Sequence, residues 1–276
     1  MPRNKARLTN KTENNSTPST TDNKKSLFDF VTPTEFVNLP TKGRFYPEGH
    51  VLHNVETIEI RHMTAKDTDI LTSKALLKKG VAIDRMLENV IVDENVQVDD
   101  LYIGDKNALI LASRINGFGP YYEVKVTCPS CGGTCEHTFD LNELEEKDQE
   151  DVEISDNGTV MITLPKSEIE VECRLLTSRD ERQMVGTAAK KKKLNLGDST
   201  LTDQYKMLIV SLNGEMDRGL VEKFIEVMPA YDATYLRKTY EEVVPNIDTT
   251  NEIVCQHCST ESTVDMPFSA NFFWPQ

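Results

Sequence analysis

Cys128-Pro129-Ser130-Cys131 and Cys255-Gln256-His257-Cys258 are two Cys-x-x-Cys pairs with 123 residues between them. Each is entered from a β-like run, Val124-Lys125-Val126-Thr127 in one and Asn251-Glu252-Ile253-Val254 in the other. Each is followed by a second β-prone stretch, His137-Thr138-Phe139 and Ser262-Thr263-Val264, so the two regions read as a weak internal repeat. Four thiolates on two tight turns are the ligand set of a closed structural zinc site, with Cys128, Cys131, Cys255 and Cys258 as ligands. The distance along the chain is a small obstacle, because loop-closure entropy grows only as the logarithm of loop length. The chain is therefore expected to fold back so that its end completes a site begun near its middle.

Other thiol chemistries fit less well. Pro-Ser and Gln-His are poor core fillers, which argues against four buried free cysteines. A thioredoxin-like role needs the first cysteine at a helix N-terminus to lower its pKa. Gly132-Gly133 and a Thr-containing β sequence follow Cys131 instead. Cys135, His137 and His257 lie close enough to offer a spare ligand, but a closed four-cysteine site has no vacancy, so they are expected to be bystanders. Cys173 falls on the apolar side of the Ile169-Val171-Cys173-Leu175 alternation and reads as a small buried residue.

Composition narrows the function classes. Formal net charge is −14 and mean hydropathy is −0.45, which argues against broad phosphate binding. No apolar run approaches the length of a membrane span, and no charged-then-apolar start suggests a secretory signal. Six cysteines in 276 residues are too few for a disulfide framework. Residues 1–25 carry six Lys/Arg against two acids and almost no large apolar residue, so residues 1–27 are expected to be a disordered basic tail. Residues 140–156 hold nine acids and one lysine, a solvated connector on this reading. The Lys190–Lys193 run suits a helix C-terminus. No Walker loop, dinucleotide fingerprint or nucleophile elbow occurs, and no catalytic residues are assigned.

The elements that must position the cysteines follow from periodicity and punctuation. Leu39 to Gly49 alternates breakers with aromatics and predicts an extended arm with turns. Val55–Arg61 alternates as a half-buried strand. Thr64 and Asp67 form a capping box that opens one helix through Lys79, stopped by Gly80. A second helix is expected over Ala82–Val92, with Ile83, Met86, Leu87 and Val90 on one face, and a third over Lys106–Ile115, capped by Asp105. Tyr121–Thr127 should run as a strand into the first cysteine turn. Strands at Thr159–Leu164 and Ile169–Leu176 come next, then helices over about 178–193, 200–212, 217–228 and 231–242.

Several phrases in combination resemble a known family. They are Leu39-Pro-Thr-Lys-Gly-Arg-Phe-Tyr-Pro, Arg61-His-Met-Thr-Ala-Lys-Asp-Thr-Asp-Ile-Leu-Thr-Ser, Leu77-Lys-Lys-Gly, Gly104-Asp-Lys-Asn-Ala-Leu and Tyr122-Glu-Val-Lys-Val-Thr-Cys-Pro-Ser-Cys-Gly. Over about residues 37–141 the chain is similar to the baseplate hub proteins of T-even-type contractile-tailed bacteriophages. The resemblance implies a non-enzymatic structural or assembly role in the virion baseplate, made in the host cytoplasm, with other hub or tail proteins as partners. The residues themselves predict an α+β fold with an N-terminal α/β region and a split zinc ribbon of two β-hairpin knuckles, separated by an α-rich insertion. The expected divisions are 1–27, the tail; 28–158, with the first knuckle; 159–245, a strand pair plus helices; and 246–276, with the second knuckle. Neither a membrane nor a small-molecule substrate is expected. The rival class is a nucleic-acid-binding zinc ribbon of phage transcription or replication, favoured by the tail and Lys190–Lys193 and opposed by the net charge. A metal-dependent hydrolase ranks third, because it needs an open coordination position.

Overall fold

The computed structural model describes residues 32–147, 155, 158–194, 200–267 and 272–273. The expected tail, Phe28–Val31 and residues 148–154 and 156 of the acidic run lie outside them. From Pro33 onward the chain forms one compact unit of helices and small antiparallel sheets, an α+β architecture.

Strand β1 (Thr34–Asn38) pairs with β2 (Thr57–Arg61), and Ile58 and Ile60 turn inward as the alternation predicts. Helix α1 (Ala65–Thr72) starts at the expected capping box. It does not run on to Lys79. Ser73 is extended, with ψ of 108°, and a separate α2 (Lys74–Lys79) follows, closed by Gly80 in the left-handed region. In α3 (Ala82–Val90), Met86, Leu87 and Val90 are buried, but Ile83 is exposed and Asp84 takes an inward position beside Lys106. Helix α4 (Ile103–Phe118) begins before Asp105, whose carboxylate is wholly buried and does not cap it. Asp105 instead accepts hydrogen bonds from the Thr41 N–H and hydroxyl and from the Tyr46 hydroxyl. The Leu39–Gly49 stretch is turn-rich as predicted but is no exposed arm: Leu39, Phe45 and Tyr46 are buried. Hairpin β3 (Tyr121–Thr127) and β4 (Thr134–Asp140) carries the first cysteine turn.

Strands β5 (Thr159–Thr163) and β6 (Glu170–Arg174) form the next hairpin, followed by α5 (Ser178–Lys193). The expected 200–212 helix is shorter. Helix α6 (Thr200–Leu208) ends where the β-branched Ile209-Val210 begin β7 (Ile209–Leu212), which pairs with β6. Helices α7 (Arg218–Val227) and α8 (Ala230–Val243) lead to the last hairpin, β8 (Thr250–Val254) and β9 (Glu261–Asp265).

Residues 34–140 and 159–265, spans of equal length, repeat one plan. Each opens with a hairpin in which a strand ends at Leu-Pro, Leu39-Pro40 or Leu164-Pro165. Its second strand ends in Arg-x-x-Thr-x-x-Asp, and the contacts are matched atom for atom. Arg61 Nη1 and Nη2 lie 2.7 and 2.9 Å from the Asp67 carboxylate, and Arg174 lies 2.7 and 2.9 Å from Asp180. Thr64 and Thr177 each bond the same carboxylate through N–H and hydroxyl. The residue before each arginine, Ile60 or Cys173, then pairs with the isoleucine just after α3 or α6, Ile91 or Ile209. At the third position of α4 and of α8 a buried Asp holds the turn of its own first hairpin. Asp105 takes Thr41, and Asp232 takes the N–H groups of Lys166 and Ser167, each at 2.9 Å. Each half then ends in a cysteine hairpin.

Two buried clusters fill the unit. One runs from the β1–β2 sheet through α3 and α4 to the cysteine hairpins, and the other lies among β5–β7, α6, α7 and α8. Between them, Ile103 N–H bonds the Leu176 carbonyl and Ser178 N–H bonds the Leu101 carbonyl at 2.8 Å. Lys106 bridges Asp84 and Glu181, each at 2.8 Å.

Candidate metal centre

The two cysteine turns have the same local geometry. Cys128 N–H donates to the Gly133 carbonyl and Gly132 N–H to the Cys128 carbonyl; Cys255 N–H donates to the Thr260 carbonyl and Ser259 N–H to the Cys255 carbonyl. The fifth residue of each turn is left-handed, Gly132 at φ 70° and Ser259 at φ 56°. Such a residue reverses the chain within one step, which lets β4 and β9 leave antiparallel to β3 and β8. The flanking registers match too, Thr127 opposite Thr134 and Val254 opposite Glu261. In both turns the first cysteine is buried and the second exposed.

The turns face each other. Cys128 Sγ lies 3.9 Å from Cys258 Sγ, and Cys131 Sγ lies 3.7 Å from Cys255 Sγ. All four sulfurs fall within 4.8 Å of one another, so the structure brings together all four cysteines singled out from spacing. A disulfide needs S–S near 2 Å, and none of the six cysteines is bonded. A tetrahedral centre with metal–sulfur bonds of about 2.3 Å has edges of about 3.8 Å, so the residues present fit a four-coordinate thiophilic cation.

Electrostatics points the same way. Backbone N–H groups of Cys131 and Ser130 pull the Cys128 thiol down to about 6. The Gly133 N–H favours the Cys131 thiolate, but the neighbouring sulfurs of Cys258 and Cys255 outweigh it and push Cys131 up to about 12. Hydrogen bonds from Thr260 lower Cys258. Thiols this close cannot all ionise by themselves, and a divalent cation removes that conflict.

Cys135, His137 and His257, the neighbours close in sequence to the turns, have contacts of their own. Cys135 is buried on β4 opposite Val126, and His137 packs edge-on against Phe139. His257 reaches across to the Thr134 carbonyl at 3.0 Å. A Cβ at Gly133 would lie 2.8 Å from the His257 ring, which explains a second glycine there. Cys173 is wholly buried on β6, and burial pushes its thiol up to about 12.

The sequence model of a family described as T4 bacteriophage base plate protein matches residues 34–274, most of the chain. The chain belongs to this family. No curated protein and no solved structure gives a significant match. The matched span of the baseplate protein takes in both halves and all four clustered cysteines, and its setting is the tail baseplate of a phage. No helix among its described residues is long and apolar enough to cross a membrane. What sequence reasoning missed is the Arg-x-x-Thr-x-x-Asp pair. Both copies stand in plain view, Arg61 to Asp67 and Arg174 to Asp180, each just after a β-like run.

Proposed function

We propose that Cys128, Cys131, Cys255 and Cys258 hold one structural zinc ion, making the two hairpins a split zinc ribbon in a protein-binding component of the baseplate hub or of its assembly. The observation that carries this reading is the cross-pairing of sulfurs from two distant turns at 3.7 and 3.9 Å. Zinc would supply charge neutralisation and a fixed tetrahedral junction, and with four protein ligands it leaves no position for substrate. The chain's own residues do the rest. Gly132 and Ser259 shape the turns, N–H groups of Gly133 and His257 donate to Cys131 and Cys255 sulfurs at 3.4 Å, and Val126 and Ile253 anchor the hairpins in the core.

On this reading the β8–β9 hairpin is pinned to the β3–β4 hairpin, so the strands and helices between them sit at a fixed angle to the N-terminal region. Docking onto hub neighbours would draw affinity from apolar contacts and orientation from charge. Cobalt substitution tests the metal. Co²⁺-loaded protein should show the intense visible bands and sulfur-to-metal charge transfer of a tetrahedral tetrathiolate site. Weak octahedral-type spectra would refute the ligand set. Deleting the gene tests the role: complete, infectious baseplates built without it would refute a hub function.

A further inference from the structure

The internal repeat separates what the shared plan requires from what one half has added. Aligned on Asp105 and Asp232, the α4 positions Ala108, Leu111, Ala112 and Ile115 match Tyr235, Lys238, Thr239 and Glu242 of α8. In α8 the Tyr, Lys and Glu are exposed, so the plan tolerates large and charged side chains there. In α4 the same positions are small or apolar and floor a groove of about 560 Å³. The groove runs between the end of β1 and the segment after β4, where Glu145 and Glu146 stand on its wall, and no Lys or Arg lines it among the described residues. Among the described residues its β1 side is an unpaired sheet edge. Strand β1 pairs with β2 alone, and no backbone group of another described residue bonds its outer edge.

We propose that this groove takes an extended segment of a neighbouring baseplate protein, one with apolar side chains at alternate positions and a Lys or Arg beside them. An edge strand offers main-chain hydrogen bonds to any extended chain, while pockets for alternate side chains set the choice. Here Leu111 and Ile115 receive the apolar side chains, the alanines leave room for them, and Glu145 and Glu146 attract the cation. That the partner belongs to the baseplate rests on the proposed function; no cysteine lines the groove, and peptide binding is read apart from metal content, so the two readings fail separately.

The full chain can be panned against a random seven-residue peptide library at moderate salt. Selected peptides should alternate apolar residues and carry a cation, and their affinity should fall at least tenfold in Ala112→Arg, which fills the groove. Because that variant could disturb α4, Glu145→Lys/Glu146→Lys serves as a second, leaving the floor intact. It should weaken the same peptides at least tenfold, with unchanged circular dichroism and metal content. Selection of acidic peptides, selected peptides indifferent to both variants, or no selection at all overturns the proposal. So does a change of oligomeric state in Ala112→Arg, which would make a second copy of this chain the occupant.

Discussion

Asp105 and Asp232 occupy the same position in the two halves, hold equivalent turns, and meet opposite electrostatics. Burial pushes the Asp105 carboxyl up despite its bonds from Thr41 and Tyr46. At Asp232, burial is outweighed by the N–H groups of Lys166 and Ser167, and its pKa falls. The neighbouring residue differs as sharply. A Cβ at Gly104 would lie 2.0 Å from the Pro245 carbonyl, where the chain crosses α4, while the matching Tyr231 is exposed. A common plan thus fixes which residues hold each hairpin to its helix. The surroundings, α4 inside the molecule and α8 at its surface, decide how each device behaves.

The largest effect should come from the shared centre. Cys258→Ser removes one thiolate, and the binding free energy of a structural metal is largely folding free energy. Hydrogen exchange should show matched loss of protection in residues 121–140 and 250–265, although only the second segment carries the change. Loss restricted to the second hairpin would mean that the halves do not share a site.

The next largest should be the arginine clasps. Arg61→Ala leaves Asp67, whose side chain is wholly buried, without its cation, a change expected to cost about 3 kcal/mol. Arg174 is 36% exposed, so Arg174→Ala should cost roughly half as much, by screening. Equal denaturation midpoints for the two variants would break this distinction. Both carboxylates have lowered pKa values, Asp67 and Asp180 alike. Their contribution is therefore present above the ordinary Asp value of about 4 and is lost as pH falls through the folded value. Acid titrations of Asp67→Asn and Asp180→Asn should converge on the parent protein at low pH.

Smaller effects of opposite sign are expected at the two buried aspartates. Asp232, lowered, stabilises above pH about 4, so Asp232→Asn should melt earlier at neutral pH and match the parent in acid. Asp105, raised, favours its protonated form, and its contribution is lost as pH rises through the folded value. Asp105→Asn should therefore improve relative to the parent as pH rises. Parallel pH curves for the two variants would contradict the electrostatic contrast. The smallest effect is expected at Ile83 and Leu201, which match at the start of α3 and α6 and are both exposed. Serine at either should change stability by no more than about 0.5 kcal/mol.

Much of this was legible in the residues. The four cysteines, the flanking β runs, the Thr64–Asp67 cap and the Cys173 alternation are local signals, and the structure places each where its spacing says. The structure departs from these signals where tertiary contacts override local preference. Asp105 has the composition of a helix cap, but a partner 64 residues away, Thr41, draws it inward. Ile83 fits the apolar face by period, yet the inward place goes to Asp84 because Lys106 and Arg182 are there to pair with it. Ile209–Leu212 extends a helical pattern, but the free edge of β6 converts it to strand. The sequence shows the repeat only at its cysteine turns, because the first hairpin loop is long in one half, residues 39–56, and short in the other, 164–169, which shifts the register between the other matched motifs.

Whether one metal joins the two halves can be decided by native mass spectrometry with elemental analysis. The parent protein should carry about one zinc per chain, as a single four-thiolate site requires. Cys128→Ser/Cys131→Ser and Cys255→Ser/Cys258→Ser should each carry none after dialysis. A parent protein without metal, or either double variant retaining a full equivalent, would contradict the account.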